Sequence, residues 1–230
     1  MLASVRVYPI DDYALTVAFN LPIGKEAHSS VMQLCHALRE NTIPGISEIV
    51  PAYNSLTVYF LDTINWRDKV NELESLANSI TFSSVQIKAA TITQIVTIPV
   101  CYEHPYAIDL NFVCDHLSLT KKEVIQLHTG TTYKVYMNGF VPGFSYMGEL
   151  PKNLHLPRKK TPSPKIIAGS VAIAAEQTGI YPFDVPGGWH VIGRTPIRMF
   201  NKNRLPVCLL QPGDNVQFSV ISKEEFEHWI

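Results

Sequence analysis

Gly139-Phe140-Val141-Pro142-Gly143-Phe144-Ser145-Tyr146-Met147-Gly148 opens a stretch that no long helix can occupy. Proline removes a backbone donor and clashes with the turn before it, and glycine loses too much entropy to sit well inside a regular element. From Gly139 to Pro196 the chain carries eight of its twelve glycines and eight of its sixteen prolines, which leaves short strands joined by tight turns. Upstream, Tyr133, Val135 and Met137 alternate as a strand. Downstream, Val207–Leu210, a Pro212-Gly213-Asp214 turn, and Val216, Phe218 and Val220 alternating on one face predict a hairpin. A β-barrel or barrel-like sandwich satisfies this pattern. Two short helices should lead into it. Asp109 is expected to cap the first, which holds Leu110, Phe112, Val113 and Leu117, and Thr120-Lys121-Lys122-Glu123 has the form of a capping box opening the second.

The first ninety residues read differently. Leu15, Val17 and Phe19 point one way on a strand, as do Leu56, Val58 and Phe60 later. Between them Ala27, Val31, Leu34, Cys35 and Leu38 fall at helical spacing, and the Asn41–Gly45 stretch stops that helix. A second helix begins after Asn65, whose side chain can cap free N–H groups, with Trp66, Val70, Leu73, Ala77 and Ile80 on one face. A strand follows near 93–100. The order β-β-α-β-β-α predicts helices covering one face of a small sheet. The fold class is therefore α+β, with a small α/β domain over 1–90 and a barrel over 91–230.

The 230 residues are 46% hydrophobic and 17% charged with a formal net charge of −1, which fits a folded globular chain. Nineteen Lys plus Arg against twenty Asp plus Glu offer no general field for a polyanion, so a nucleic-acid binder is not expected. No apolar run approaches the roughly eighteen residues of a membrane span. The N-terminus lacks the order of basic, apolar and small segments of a signal peptide. Cys35, Cys101, Cys114 and Cys208 form no C-x-x-C pair, so neither a metal site nor a disulfide framework is expected, and the chain reads as cytoplasmic. There is no G-x-x-x-x-G-K-[ST] phosphate loop, no G-x-G-x-x-G, no H-E-x-x-H and no G-x-S-x-G. Ser145 has one residue too many before the next glycine for a nucleophile elbow.

Candidate functional residues cluster in the glycine- and proline-rich loops, which display Phe144 and Tyr146, then Gln177, Thr178 and Tyr181, then Trp189 and Arg194. Ligand sites combine apolar walls with a few polar groups, and these loops supply both; the same aromatics could equally fill a core. Arg158, in the run Arg158-Lys159-Lys160, and Arg194 are the candidates for bidentate clamps on carboxylate or phosphate. His128 follows Val124 and Leu127 at helical spacing. It is either a hydrogen-bonded core residue or, facing a cleft, a proton carrier near neutral pH.

Taken together, the strings Gly139–Tyr146, Pro157-Arg158, Ala168-Gly169-Ser170-Val171, Gln177-Thr178-Gly179-Ile180-Tyr181-Pro182, Pro186-Gly187-Gly188-Trp189 and Ile192-Gly193-Arg194-Thr195-Pro196 resemble those of the family of the B subunit of bacterial ATP-dependent 5-oxoprolinase. Glu123-Val124-Ile125-Gln126-Leu127-His128 matches the same family, which also includes a Kip-type inhibitor of a sporulation histidine kinase and was once labelled as the first subunit of allophanate hydrolase. The resemblance implies a cyclophilin-like barrel as the second domain. It implies an enzyme subunit that works with the C and A subunits of 5-oxoprolinase to open 5-oxo-L-proline to L-glutamate at the expense of ATP. It also implies a site in which His128, Arg158 and Arg194 act on the reaction while Phe144, Tyr146, Gln177, Thr178, Tyr181 and Trp189 hold substrate. The alternative is a regulatory protein that docks on a sensor histidine kinase and does no chemistry. A part in urea or allophanate breakdown fits less well, because the chain has no biotin carrier and no amidase signature. The chain departs from the family pattern at Ser163, where a second arginine is frequent, at Ile167, at Ala175, where glycine is common, and at Val185. Lys165 is the candidate substitute for the missing cation.

Overall fold

The computed structural model describes residues 5–40, 43–62, 65–82 and 95–229. The chain divides into two compact units, Met1–Ile92 and Thr93–Ile230.

In the first unit β1 (Val5–Asp11), β2 (Ala14–Phe19), α1 (Lys25–Glu40), β3 (Ile46–Pro51), β4 (Ser55–Phe60) and α2 (Trp66–Phe82) follow in order. The strands form an antiparallel sheet ordered β1-β2-β4-β3. Val17 stands opposite Leu56, and Leu15, Val17, Phe19, Leu56, Val58 and Phe60 are all buried. Against them pack Val31, Leu34, Cys35 and Leu38 from α1 and Leu73 and Ala77 from α2. Each such side chain taken from water contributes about 1.5–3 kcal/mol before entropy is counted, which is how two amphipathic helices and a four-stranded sheet suffice for a core. The Asn65 amide donates to Asp68 Oδ2 at 2.6 Å. The side chains of Trp66 and Ile80, together with Asn41 and residues 93 and 94, lie outside the described residues.

The second unit runs β5 (Ile95–Cys101), α3 (Leu110–Leu117), α4 (Lys121–Thr129), β6 (Thr132–Asn138), β7 (Ser145–Gly148), β8 (Ser163–Ile166), β9 (Ser170–Ala174), β10 (Gln177–Ile180), β11 (Val185–Gly187), β12 (His190–Arg194), β13 (Asn215–Ile221) and α5 (Lys223–His228). Seven strands close a barrel in the order β10-β7-β6-β13-β5-β12-β9, and β8 and β11 form a separate ribbon. Thr120 and Glu123 make the expected capping box, with Glu123 N–H donating to Thr120 Oγ1 and Thr120 N–H to Glu123 Oε2.

Alternation along β9 produces two cores from one strand. Val171 and Ile173 join the main barrel core with Val135, Met147, Ile192, Val216 and Phe218. Ala172 and Ala174 point the other way and join Phe144, Ile166, Tyr181, Trp189 and Val191 in a second cluster on the outside of the wall. That is why β9 is buried along its whole length.

Two local expectations fail. Asp109 makes no side-chain cap on α3, because its carboxylate accepts from Val191 N–H at 2.7 Å and pairs with Lys159 Nζ at 2.6 Å. The hairpin ending in β13 does not form either. Val207–Leu210 turns back on Met199–Asn201 through Leu209 N–H to Met199 O and Asn201 N–H to Val207 O, while Gly213 N–H donates to Val135 O and Val135 N–H to Asp214 O. The turn is thus stitched to β6, and β13 pairs in parallel with β5 over seven residues. Val216 and Phe218 are buried on the expected face, whereas Val220 is exposed.

Candidate active site

The cluster outside the barrel wall opens into a pocket of about 250 Å³ lined by Phe140, Phe144, Tyr146, Arg158, Tyr181 and Trp189. Its rings meet edge to face, with centroids 5.0 Å apart for Phe144–Tyr181, 5.5 Å for Phe144–Trp189 and 4.8 Å for Phe144–Tyr146. That is the arrangement aromatic quadrupoles favour. Gly179 is what lets them close: a Cβ there would stand 2.9 Å from Phe144 Cζ and 3.1 Å from Trp189 Cζ3. Phe140 holds a positive φ of 67° at the lip, a conformation that costs a non-glycine residue of order 1–3 kcal/mol and is concentrated at functional loops. The Arg158 guanidinium lies 5.9 Å over the Trp189 ring. Burial pushes the Tyr181 phenol up to about 12 and raises Tyr146 as well, so both remain neutral hydroxyls able to donate hydrogen bonds.

His128 is elsewhere. It is 0% exposed in the barrel interior, stacked 4.4 Å from Phe218, with Nδ1 2.7 Å from the Tyr102 hydroxyl and Nε2 2.9 Å from Thr178 Oγ1. Thr178 donates its one hydroxyl hydrogen to Ala172 O at 3.2 Å. It must therefore accept from His128, which places the ring hydrogen on Nε2 and makes Nδ1 the acceptor of the Tyr102 hydroxyl. Desolvation lowers the imidazole to about 3. The chain Tyr102–His128–Thr178–Ala172 is saturated, and neither His128 nor Thr178 lines the aromatic pocket, so the structure places both inside the barrel, apart from Arg158.

Arg194 is apart from Arg158. Its Nε donates to Ala168 O at 2.8 Å, its guanidinium packs 5.8 Å from the Phe226 ring, and it lines a different pocket with Arg198 and Thr195. Gln177 is half-buried at the head of β10 opposite Ala174. Of the nine expected residues, Arg158, Phe144, Tyr146, Tyr181 and Trp189 come together at one place.

A larger pocket of about 730 Å³ adjoins them, lined by Asp109, Phe112, His116 and His190 and by the loop from Leu156 to Ser163. Arg158 borders both pockets. Lys159, in the basic run, is mostly buried: besides Asp109 it donates to Ser163 Oγ at 3.0 Å. Phe112 stacks on His116 at 5.7 Å and on His190 at 5.0 Å. Asp109, Lys159, Phe112, His116 and His190 carry no motif that marks them as site residues in the sequence. Their assembly depends on contacts between α3, the 156–163 loop and β12.

The model of the family described as carboxyltransferase domain, subdomain C and D, matches residues 5–210. The chain belongs to this family. Across 233 aligned residues, 98% of this chain and 97% of the other, it is 36% identical to the 5-oxoprolinase B subunit of Bacillus subtilis (strain 168). It is likewise 36% identical to the 5-oxoprolinase B subunit of Haemophilus influenzae, over 94% of this chain and 98% of that one. Among solved structures, PH0987 from Pyrococcus horikoshii superposes with a TM-score of 0.56 at 34% identity, covering 96% of this chain and 100% of its own. TTHA0988 gives 0.76 at 33% identity over 91% of this chain, which spans 40% of that longer protein. The Kluyveromyces lactis urea amidolyase gives 0.76 at 18% identity over 99% of this chain and 15% of its own length, a likeness of fold.

Where this carboxyltransferase-family chain departs from the expected pattern, the structure gives reasons. Ser163 receives the Lys159 ammonium. Lys165 pairs with Asp184 at 2.9 Å on the exposed ribbon and so does not replace a clamp in either pocket. Ala175 adopts a φ of 50° in the β9–β10 turn, the left-handed conformation that explains glycine's use there.

Proposed function

We propose that the chain is the B subunit of a 5-oxoprolinase complex that, with A and C subunits, opens 5-oxo-L-proline to L-glutamate with ATP as cosubstrate in the cytoplasm. Similarity at 36% identity, over nearly the whole chain, to the 5-oxoprolinase B subunits of two bacteria supports this assignment. The observation that carries the chemistry is the small aromatic pocket with one guanidinium at its edge.

A lactam is a poor electrophile, and ATP makes it a good one. Its carbonyl oxygen takes the γ-phosphoryl group and ADP leaves. Water adds to the activated carbon, the C–N bond breaks with its electron pair and a proton going to nitrogen, and a second water hydrolyses the resulting acyl phosphate. The sum is 5-oxoproline, ATP and two waters to glutamate, ADP and phosphate. In this reading the Arg158 fork binds the substrate carboxylate. The five-membered ring lies against Phe144 and Trp189, and the neutral phenols of Tyr146 and Tyr181 donate to the developing oxyanion. Thr178 and His128 brace β10 from inside, and Arg194 ties β12 to the turn at Ala168.

The test is glutamate formation from 5-oxo-L-proline and ATP by the complex reconstituted from this chain and its candidate A and C subunits. Omitting this chain should abolish it. Arg158→Ala should cut turnover at least about a hundredfold with an unchanged circular-dichroism spectrum, and Arg194→Ala should lower thermal stability while leaving KM for 5-oxoproline close to the wild-type value. Wild-type turnover in Arg158→Ala would remove the assignment.

A further inference from the structure

We infer that the 730 Å³ pocket between α3 and the 156–163 loop binds the phosphate chain of the nucleotide, so that the phosphoryl donor and the lactam lie on either side of Arg158. The role given to that ligand rests on the reading above; the binding itself rests on the pocket.

The pocket's charge is local and unlike that of the chain. Arg158, Lys159 and Lys160 line it in succession against one carboxylate, Asp109, in a protein whose net charge is −1. Asp109 is already neutralised, because its Oδ2 is 2.6 Å from Lys159 Nζ and also accepts Val191 N–H. The positive charge of Arg158 and Lys160, both on exposed side chains of the rim, is therefore left for a ligand. Thr161 and Ser163 add hydroxyls to the same wall. The loop carrying these groups is held rather than loose. Lys159 N–H donates to Gly188 O at 2.8 Å, and His190 Nε2 is 3.0 Å from Pro157 O.

The second observation is His190 itself. It lines the pocket and is 4% exposed. Its Nε2 must donate to the Pro157 carbonyl, which leaves Nδ1 as a bare lone pair, and that atom is the one buried side-chain polar atom among the described residues with no partner. A buried polar group left unsatisfied costs about 1–3 kcal/mol, and an anionic ligand at this wall relieves it by favouring the protonated ring. When Nδ1 takes a proton it becomes a donor to a phosphate oxygen, with both ring N–H groups then satisfied. Facing it from the surrounding elements are Asp109 at the start of α3, His116 on α3 and Lys159 on the loop, the groups whose charges act on its titration. Free of ligand, burial and Lys159 hold the imidazole neutral, with the Pro157 carbonyl and Asp109 opposing them.

Calorimetric titration of the full chain, alone and within the reconstituted complex, with ATP and separately with inorganic tripolyphosphate tests this. Both ligands should bind. Lys160→Glu should weaken both by more than about tenfold, as expected for loss and reversal of one charge-assisted contact. Repeating the titration in buffers of different ionisation enthalpy should reveal proton uptake that disappears in His190→Phe. Tyr146→Phe, in the aromatic pocket, should leave ATP affinity unchanged while lowering kcat for glutamate formation. If neither ligand binds chain or complex, or Lys160→Glu binds ATP as wild type does, the inference falls. ATP bound and tripolyphosphate ignored would place recognition on the base and overturn it as well. Glutamate formation without phosphate binding here would sink this inference and spare the enzymatic reading. Phosphate binding without glutamate formation would do the reverse.

Discussion

His128 and His190 are both almost wholly shielded from solvent, at 0% and 4% exposure, yet they belong to opposite kinds of region. Around His128 every donor meets an acceptor, from the Tyr102 hydroxyl through both ring nitrogens to Thr178 and the Ala172 carbonyl. Around His190 the accounting stops one partner short, at Nδ1. A fully satisfied buried network rigidifies a fold and has nothing left to offer a ligand, whereas a buried polar atom without a partner is either a cost the fold carries or a contact reserved for a ligand. Burial by itself would have ranked the two histidines together. Counting their hydrogen bonds separates them.

The largest expected effect comes from opening the closed network. His128→Leu strands the Tyr102 hydroxyl in the barrel core, takes from Thr178 the bond it accepts, and should cost about 2–4 kcal/mol of stability, read from urea unfolding followed by tryptophan fluorescence. Thr178→Val should cost about 1–3 kcal/mol, because it leaves His128 Nε2–H with no acceptor. A loss below about 0.5 kcal/mol in both, on the order of a neutral surface change, would mean the network is not closed in solution.

Titration sharpens the same contrast. Burial holds the folded His128 imidazole at about 3, against an ordinary value of 6.5. Below pH 6.5 the unfolded chain takes up a proton that the folded chain refuses, so the contribution of this residue is complete above 6.5 and is lost as pH falls towards 3. The slope is about 1.4 kcal/mol per pH unit. The stability gap between wild type and His128→Leu should therefore shrink on going from about pH 7 to about pH 4.5. In nitrogen-15 spectra the Nε2–H tautomer should persist throughout; parallel stability curves, or a ring that titrates near its ordinary value, would place His128 in contact with water.

How much of this could be read in the sequence follows the range of the contacts involved. Local signals served well. The capping box at Thr120 and Glu123 spans three residues, and the faces of Val31, Leu34 and Leu38 and of Leu56, Val58 and Phe60 follow from period alone. The aromatic pocket was legible because glycine, proline and aromatic residues alternate along the loops that build it. What failed was decided at a distance. Asp109 caps nothing because its carboxylate is taken by Val191, 82 positions later. The final hairpin is absent because β13 finds a parallel partner in β5, at the other end of the barrel sequence. His128 has the helical spacing expected for it, but spacing cannot tell a barrel interior from a cleft. His190 carries no motif, and its character appears only when Pro157 and Phe112 are brought against it.

The smallest effect is expected from His190→Phe, and its smallness is informative. The substitution removes the hydrogen bond to the Pro157 carbonyl, on an exposed loop residue that the Lys159 N–H bond to Gly188 O still anchors, so water can take the lost donor's place and little is lost there. It also removes the orphaned Nδ1, which should return part of that loss, and it keeps a planar ring to stack on Phe112, now 5.0 Å from the imidazole. The net change in unfolding free energy should fall within about 1 kcal/mol of zero, measured by the same urea titration. A destabilisation of about 2 kcal/mol or more would instead match the cost of breaking a satisfied buried group. Nδ1 would then have a partner in the free protein, and the two histidines would be alike after all.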